Sequence, residues 1–303
     1  MRISTSAMTN MTTNSMSNAN SVYADILQKI TSGKNFSKMS ENPTDATKVL
    51  KLKDQLAQLE GFQSNIQAAM NEMNLAWDTL NAVSDELNSI NSLVLEGANA
   101  TTTPSSAKAL ATEIDQRVAT IMDKMNAKYL DNYIFAGTYT QDMAYVTDAD
   151  GNIVYQGSSE KAGDRNLTVA EGKTFTYNFT GEEIFGKQDG VNDFFAQMKE
   201  LSELLNADTL DYEAIREKIG VIAQAQDKIT QTNGKVSAYV TKLDTEHQNN
   251  TDTILNLTED RVDLEEVDIT KAASDLANAQ TALQASYLVG TRVLGSVSLL
   301  DYI

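Results

Sequence analysis

The strongest constraint in this chain is an apolar repeat that keeps its spacing over residues 49–80. Apolar residues recur there in steps of three and four, and Gln63 is the polar exception. The members are Val49, Leu52, Leu56, Leu59, Gln63, Ile66, Met70, Met73, Trp77 and Leu80. Such spacing is typical of a coiled-coil seam, in which one stripe of a helix faces a partner helix. The chain is therefore predicted to contain a long helix that pairs with another helix, with Trp77 buried in the seam.

This repeat is interpreted as one helix over residues 44–96. Gly97 and the TTTP segment that follows end the helix, and Pro104 suits the first turn of the next one. The members of that next helix are Leu110, Ile114, Val118, Ile121, Met125 and Tyr129. Each helix thus presents one apolar stripe to the rest of the chain.

Helical spacing returns in the second half of the chain, over 191–206 and from Asp211 onward, and a last helix begins near Ile269. His247, the single histidine, occupies a seam position. A polar residue in a seam often sets the register of a helix pair, so His247 is interpreted in this way and not as a ligand or a base. The first and last long helices can pair only if the chain folds back, which predicts an antiparallel arrangement.

The composition changes between residues 137 and 190, which hold more than half of the 15 glycines. The segments AYVTDADGNIVYQG and NLTVAEGKTFTYNFTG read as two hairpins with turns at Asp150-Gly151 and Glu171-Gly172. The DADGN portion is similar to the start of a calcium loop, but its glycine and its later acidic residue are wrongly placed for one. A hairpin turn is therefore predicted there.

The predicted fold class is mainly α, with a long antiparallel helical coiled-coil or bundle core and a small central β-rich insert. The terminal helices are predicted to be disordered in the monomer, because the first residues are mostly Ser, Thr, Asn and Met and bury little. The predicted segments are an N-terminal segment (1–43), the two halves of the helical core (44–136 and 191–266), the β-rich insert (137–190) and a C-terminal helix (267–303).

The end of the chain is apolar although the chain as a whole is strongly acidic. Residues 285–303 carry only Arg292 and Asp301 as charged side chains. A single chain offers no evident partner against which to bury this tail.

Charge excludes several classes of partner. The formal net charge is −18, whereas binding to nucleic acid or to an acidic membrane needs clustered cations. No apolar run reaches the ~18 residues that span a bilayer. The early part of the chain is basic around Lys48, Lys51 and Lys53, and 259–275 is acidic. Either these two stretches meet across the antiparallel pair, or each is solvated by itself.

No catalytic or metal-binding constellation is found in the sequence. The chain has no cysteine and a single histidine, which excludes thiol catalysis, a catalytic triad and a zinc motif. We therefore predict no catalytic residue, no cofactor and no metal, and the acidic clusters are interpreted as solvated helix faces.

Four segments resemble the bacterial flagellin family, and in particular its hook-associated branch. LQKITSGKNFSKMSENPTDATKVLKL (27–52) is similar to the N-terminal signature of the family, and NAKYLDNYIFAGT (126–138) to a tyrosine-rich element of that branch. The hairpin with DGNIVYQG and the ending SVSLLDYI (296–303) also resemble that branch. Flagellins proper usually carry Ala-Asn-Gln-x-Pro in their final helix, whereas this chain has no proline after Pro104.

The resemblance implies a structural subunit without enzymatic activity or cofactor. It implies export of the unfolded chain by the flagellar type III apparatus, with an uncleaved N-terminus and an export chaperone as an earlier partner. It also implies self-association in a ring between the hook and the filament, in contact with hook-associated protein 1 and flagellin, outside the cell. In such an assembly the N-terminal assembly and export segment (1–43) and the C-terminal assembly helix (267–303) become buried only against other subunits. The predicted interface residues are Met8, Met11, Val22, Ile26, Ile30, Leu283, Tyr287, Val289, Val293, Val297, Leu299 and Leu300. The alternatives are a short flagellin and a secreted coiled-coil binding protein.

Overall fold

The computed structural model describes residues 5–157, 164–177, 179–186 and 193–300, with the side chains of 294–300 left out of the description. Seven helices and six short strands lie in these ranges. The helices are α1 (Thr5–Ser32), α2 (Pro43–Gly97), α3 (Pro104–Met125), α4 (Gly181–Phe185), α5 (Phe194–Asn206), α6 (Tyr212–Glu265) and α7 (Ile269–Leu300). The strands are β1 (Lys128–Tyr129), β2 (Asn132–Tyr133), β3 (Tyr145–Thr147), β4 (Ile153–Tyr155), β5 (Arg165–Ala170) and β6 (Lys173–Tyr177). The predicted mainly α class with a small β insert is confirmed.

Short polar side chains begin the long helices. Asn42 caps α2 by accepting a hydrogen bond from the Asp45 N–H at 3.2 Å, and Thr103 caps α3 with Pro104 in the first turn. Each cap satisfies a backbone donor that the first turn of a helix leaves free. The predicted start of α3 is thus confirmed. The inclusion of Tyr129 in that helix was wrong, because α3 ends at Met125 and Tyr129 lies in β1.

The chain divides into two compact units, which are described separately. The terminal unit consists of the residues up to Gln58 and those from Asp252 onward, and the central unit consists of Leu59–Thr251. The terminal unit contains α1, α7, the beginning of α2 and the end of α6. The central unit contains the remaining elements. The five predicted segment boundaries stay a prediction.

In the central unit, α2 and α6 run antiparallel, as predicted. Gln63 Nε2 donates to Thr251 Oγ1 at 2.7 Å, and Gln226 Nε2, much earlier along α6, donates to Asn88 Oδ1 at 2.6 Å. Gln63 also lies 3.5 Å from the backbone oxygen of His247. The two polar residues of the predicted seams therefore lie opposite each other.

The buried stripe of α2 differs from the prediction at Trp77. Its members follow steps of three and four and are Ile66, Ala69, Met73, Ala76, Leu80, Val83, Leu87, Ile90 and Val94. Ala76 is 0% exposed, whereas Trp77 is 45% exposed, so the prediction of a buried Trp77 was wrong. Alanine fills the seam at this turn, and the bulky indole lies on the neighbouring surface.

The β insert consists of three separate two-stranded antiparallel sheets, β1-β2, β3-β4 and β5-β6. The predicted turns are confirmed, since Gly151 and Gly172 adopt the positive φ values of 75° and 68°. Glu72 of α2 anchors the last hairpin, because its carboxylate pairs with Arg165 and accepts a 3.2 Å hydrogen bond from the Tyr177 hydroxyl. A hairpin alone is marginally stable, so these contacts with α2 hold it in place.

An aromatic cluster fills the interior of the insert. Tyr145 packs on Tyr155 and Phe195 with ring centroids 5.2 and 5.0 Å apart. A Cβ at Gly181 would lie within 3 Å of the Tyr145 ring, so only glycine fits there. The Tyr145 hydroxyl is buried and has no hydrogen-bond partner within the described residues, and burial raises its pKa well above the usual value.

Candidate assembly surface

The two terminal helices pair with each other in antiparallel fashion along a seam that combines small and large residues. A Cβ at Gly290 would contact Met16 and Thr12, which places the end of α7 beside the beginning of α1. The shielded residues that form the seam are Thr12, Met16, Ala19, Tyr23, Ile26 and Ile30 on α1, where Ala7, Thr9 and Lys29 are shielded as well, and Ala272, Leu276, Ala279, Leu283, Ser286, Gly290 and Val293 on α7. Both sets follow steps of three and four, the spacing of a coiled-coil seam. The disorder expected for these helices in the free monomer stays a prediction.

The nine predicted interface residues whose side chains are described fall into two groups. Ile26, Ile30, Leu283 and Val293 are half-buried along this terminal seam, so they hold α1 and α7 together within one chain. The exposed group consists of Met8, Met11, Val22, Tyr287 and Val289. The side chains of Val297, Leu299 and Leu300 lie outside the described residues. The interface role of all twelve is therefore a proposal, and among the nine with described side chains the exposed group has the larger free apolar surface in the single chain.

Two exposed apolar residues of α7 were missed by the sequence reasoning. Leu288 is 66% exposed, which is more than any of the exposed predicted members. Ile269 is 55% exposed, which is about as much as they are. The uninterrupted run Tyr287-Leu288-Val289 was the available signal, because three consecutive apolar residues on a helix cannot all face one seam.

Met11 and Val289 line a shallow groove between α1 and α7 with a volume of about 310 Å³, here called the terminal groove. Its polar side chains use their hydrogens within their own helices. Ser15 Oγ donates to the Met11 oxygen at 2.9 Å, and Ser286 Oγ donates to the Leu283 oxygen at 2.8 Å. The groove therefore presents an apolar surface, which is suited to burying an apolar side chain of another protein.

The basic and acidic stretches meet in the terminal unit, which was one of the two alternatives predicted from the sequence. Glu265 Oε1 accepts hydrogen bonds from Lys34 Nζ at 2.8 Å and from Lys53 Nζ at 2.9 Å. Lys48 pairs instead with Asp45 at 3.0 Å, so its expected contact with the acidic stretch was wrong. The hydrogen bond from Lys34 is the main cause of the lowered pKa of Glu265; burial opposes it, and the bond from Lys53 adds to it.

Lys199 of α5 donates hydrogen bonds to the DADGN turn. Asp148 Oδ1 accepts the backbone N–H groups of Asp150 and Asn152 at 2.9 and 2.7 Å, which closes the turn. Lys199 Nζ donates to the Asp150 oxygen at 3.2 Å and to Asn152 Oδ1 at 2.6 Å. A hairpin turn was therefore the correct interpretation. Among the described residues, no group of three or more His, Cys, Asp or Glu side chains is placed to hold a metal ion.

No helix within the described ranges combines the length and the apolar character that crossing a membrane requires.

Comparison with known families identifies the class of this chain. Residues 3–140 match the model of the bacterial flagellin N-terminal helical region, and residues 219–303 match that of the bacterial flagellin C-terminal helical region. These are the two parts of the chain that supply the paired helices α1, α2, α6 and α7. The matches together cover more than half of the chain, which belongs to the bacterial flagellin family.

Within that family, the similarities lie with hook-associated proteins. Flagellar hook-associated protein 3 of Escherichia coli K12 is 22% identical over 315 residues, covering 97% of this chain and 98% of that protein. Among solved structures, a Vibrio parahaemolyticus protein assigned as flagellar hook-associated shares the fold with a TM-score of 0.68, at 23% identity, and covers 75% of this chain and 100% of its own. Bacillus cereus FlgL has a TM-score of 0.57 at 22% identity, covering 70% and 99%.

Proposed function

We propose that this chain is a structural subunit of the junction between the hook and the filament of the bacterial flagellum. Subunits associate with one another in a ring, with hook-associated protein 1 on one side and flagellin on the other. The chain reaches this extracellular position by flagellar type III export, accompanied by a chaperone before secretion. Full-length similarity to a hook-associated protein supports this proposal.

The observation that carries the proposal is the exposure of apolar side chains on the paired terminal helices. Met11, Val22 and Val289 are all more than half exposed, and Met11 and Val289 line a groove whose hydroxyl groups are already bonded. Full burial of an apolar side chain contributes roughly 1.5–3 kcal/mol. Several such residues per subunit supply a driving force for association that the single chain leaves unused.

The experiment is a deletion of the gene followed by complementation. We expect the deletion strain to keep its hooks, to lose its filaments and to shed flagellin monomers into the medium. Expression of the intact chain should restore filaments. Shedding is the decisive result, because flagellin is still exported but has no junction on which to polymerise.

A filament subunit is the second candidate, and the flagellin family match favours it. Its loss would remove the filament together with its own monomers, so the medium would contain little exported flagellin. Hooks without filaments and without shed flagellin would therefore contradict the junction role and support the filament role.

A further inference from the structure

The terminal unit contains two helix breaks that are hydrogen-bonded to each other. One break separates α1 from α2, and the other separates α6 from α7. The Asn35 N–H donates to the Glu265 oxygen at 2.8 Å, and the Val267 N–H donates to the Gly33 oxygen at 3.0 Å. Lys34 and Glu266 form an isolated antiparallel bridge between these bonds. The two breaks, more than two hundred residues apart along the chain, thus form one short joint.

The Glu265 carboxylate lies at the centre of this joint and is only 8% exposed. Lys34 comes from the first break and Lys53 from α2, and both ammonium groups lie within 2.9 Å of the same Glu265 oxygen. Arg261, one turn earlier on α6, lies 3.8 Å from the other oxygen. One carboxylate therefore contacts α2, α6 and the first break at the same time.

We propose that Glu265 is an electrostatic lock that makes the two helix breaks open and close as a single joint. Two strands paired over so few residues are marginally stable in water, so the backbone bonds alone would not hold the breaks together. Gly33 has a positive φ of 70° and adds no side chain to the contact. The Glu265 carboxylate supplies the additional stabilisation, because hydrogen bonds between charged groups are stronger than those between neutral groups.

The consequence concerns the direction of the terminal helices. While the lock holds, α1 and α7 leave the joint together and keep the register in which they pair. When the lock is lost, each break changes its direction independently. The two terminal helices then no longer leave the joint in the register in which they pair.

The test is amide hydrogen exchange of the purified full chain, comparing wild type with Glu265→Gln. We expect exchange of the Asn35 and Val267 amides to accelerate roughly tenfold or more, as the loss of a charge-assisted hydrogen bond predicts. Glu266→Gln is the matched control, because the Glu266 side chain is exposed and that residue contributes its backbone to the joint. Its exchange should equal that of wild type.

A second variant guards against an effect of the glutamine itself. Lys34→Gln with Lys53→Gln leaves Glu265 in place and removes its two lysine partners, and it should accelerate the same two amides. Unchanged exchange in either variant would overturn the lock, and so would equal acceleration at every amide of the terminal unit. Absence of protection at Asn35 and Val267 in the wild-type chain would overturn it as well. The measurement needs no flagellum, so it is independent of the junction role.

Discussion

Gly290 on α7 lies so close to Met16 on α1 that a Cβ at position 290 would come within 2.7 Å of the Met16 sulfur. Close approach at this point holds the two terminal helices in contact near the free end of each. A larger side chain at position 290 has to displace Met16 or separate the helices.

We therefore predict that Gly290→Val weakens the pairing of α1 with α7 and impairs filament attachment. The expected result is reduced swimming of a complemented deletion strain. Gly234→Val is the matched control, because Gly234 lies in helix α6 with no atom within 4 Å of its Cβ position. Unimpaired swimming of the Gly290 variant would contradict the close-approach argument.

The exposed apolar residues allow a separate prediction about assembly. Met11→Asp and Val289→Asp each place a charge beside the terminal groove, which should prevent burial on assembly while leaving the monomer unchanged. We expect normal circular dichroism and melting temperature but flagellin in the culture medium. Gln284→Asp adds the same charge at an exposed polar position of α7 and should be tolerated. If the three variants swim equally well, the groove is not an interface.

Two tyrosines of the β insert should respond oppositely to removal of the hydroxyl. Tyr145→Phe removes a buried hydroxyl that lacks a partner among the described residues, so the free energy of unfolding should rise or stay constant. Tyr177→Phe removes the 3.2 Å hydrogen bond to Glu72 and should lower it by about 1–2 kcal/mol. Chemical denaturation of both variants measures the difference. A larger loss for Tyr145→Phe would be the unexpected outcome.

The lowered pKa of Glu265 gives a pH dependence with a definite sign. A carboxyl group whose pKa is lower in the folded state stabilises that state above its unfolded pKa, near 4.3 for glutamate. This contribution is lost as the pH falls through the lower folded value. The difference in unfolding free energy between wild type and Glu265→Gln should thus be full at neutral pH and shrink in acid. A difference that is constant with pH would mean that another property of Glu265 is responsible.

The free ends of α1 and α7 should be less ordered in the monomer than the joint. The terminal seam buries small side chains such as Ala19 and Ala279, whereas the joint combines backbone bonds with a locked carboxylate. We predict that amides around Val289 exchange quickly and that the Val267 amide exchanges slowly. Limited proteolysis should accordingly trim the ends and stop near the joint. Strong protection around Val289 in a dilute monomer would contradict the predicted terminal disorder.

The long helices and the hairpins were predictable because their signals are local. A repeat of three and four residues defines α2, and a glycine at each turn defines the hairpins around Gly151 and Gly172. Trp77 was misplaced for a physical reason. Neighbouring stripes of one helix satisfy the same spacing, and a sequence does not reveal how closely the partner helix approaches. Close packing selected Ala76 for the interior.

The electrostatic contact was predictable only as one of two alternatives. Opposite charges on antiparallel segments allowed either a meeting of the two stretches or separate solvation, and the partner of each lysine depends on side-chain displacements of a few ångströms. Lys53 reaches Glu265, whereas Lys48, little more than one turn earlier, reaches Asp45 within its own helix. The role of Lys34 depends on the backbone of the first break, which has no periodic pattern for a sequence to display.

The small residues of the terminal seam also affect the distance between the axes of α1 and α7. Alanine, serine and glycine allow two helices to lie nearer to each other than leucine would, toward the short end of the ~8–10 Å range for packed helices. If such pairs line the proposed ring, the thickness of that layer determines how wide an opening remains at a given outer diameter. We would then expect a leucine at Ala279 to separate α1 from α7 and to narrow that opening.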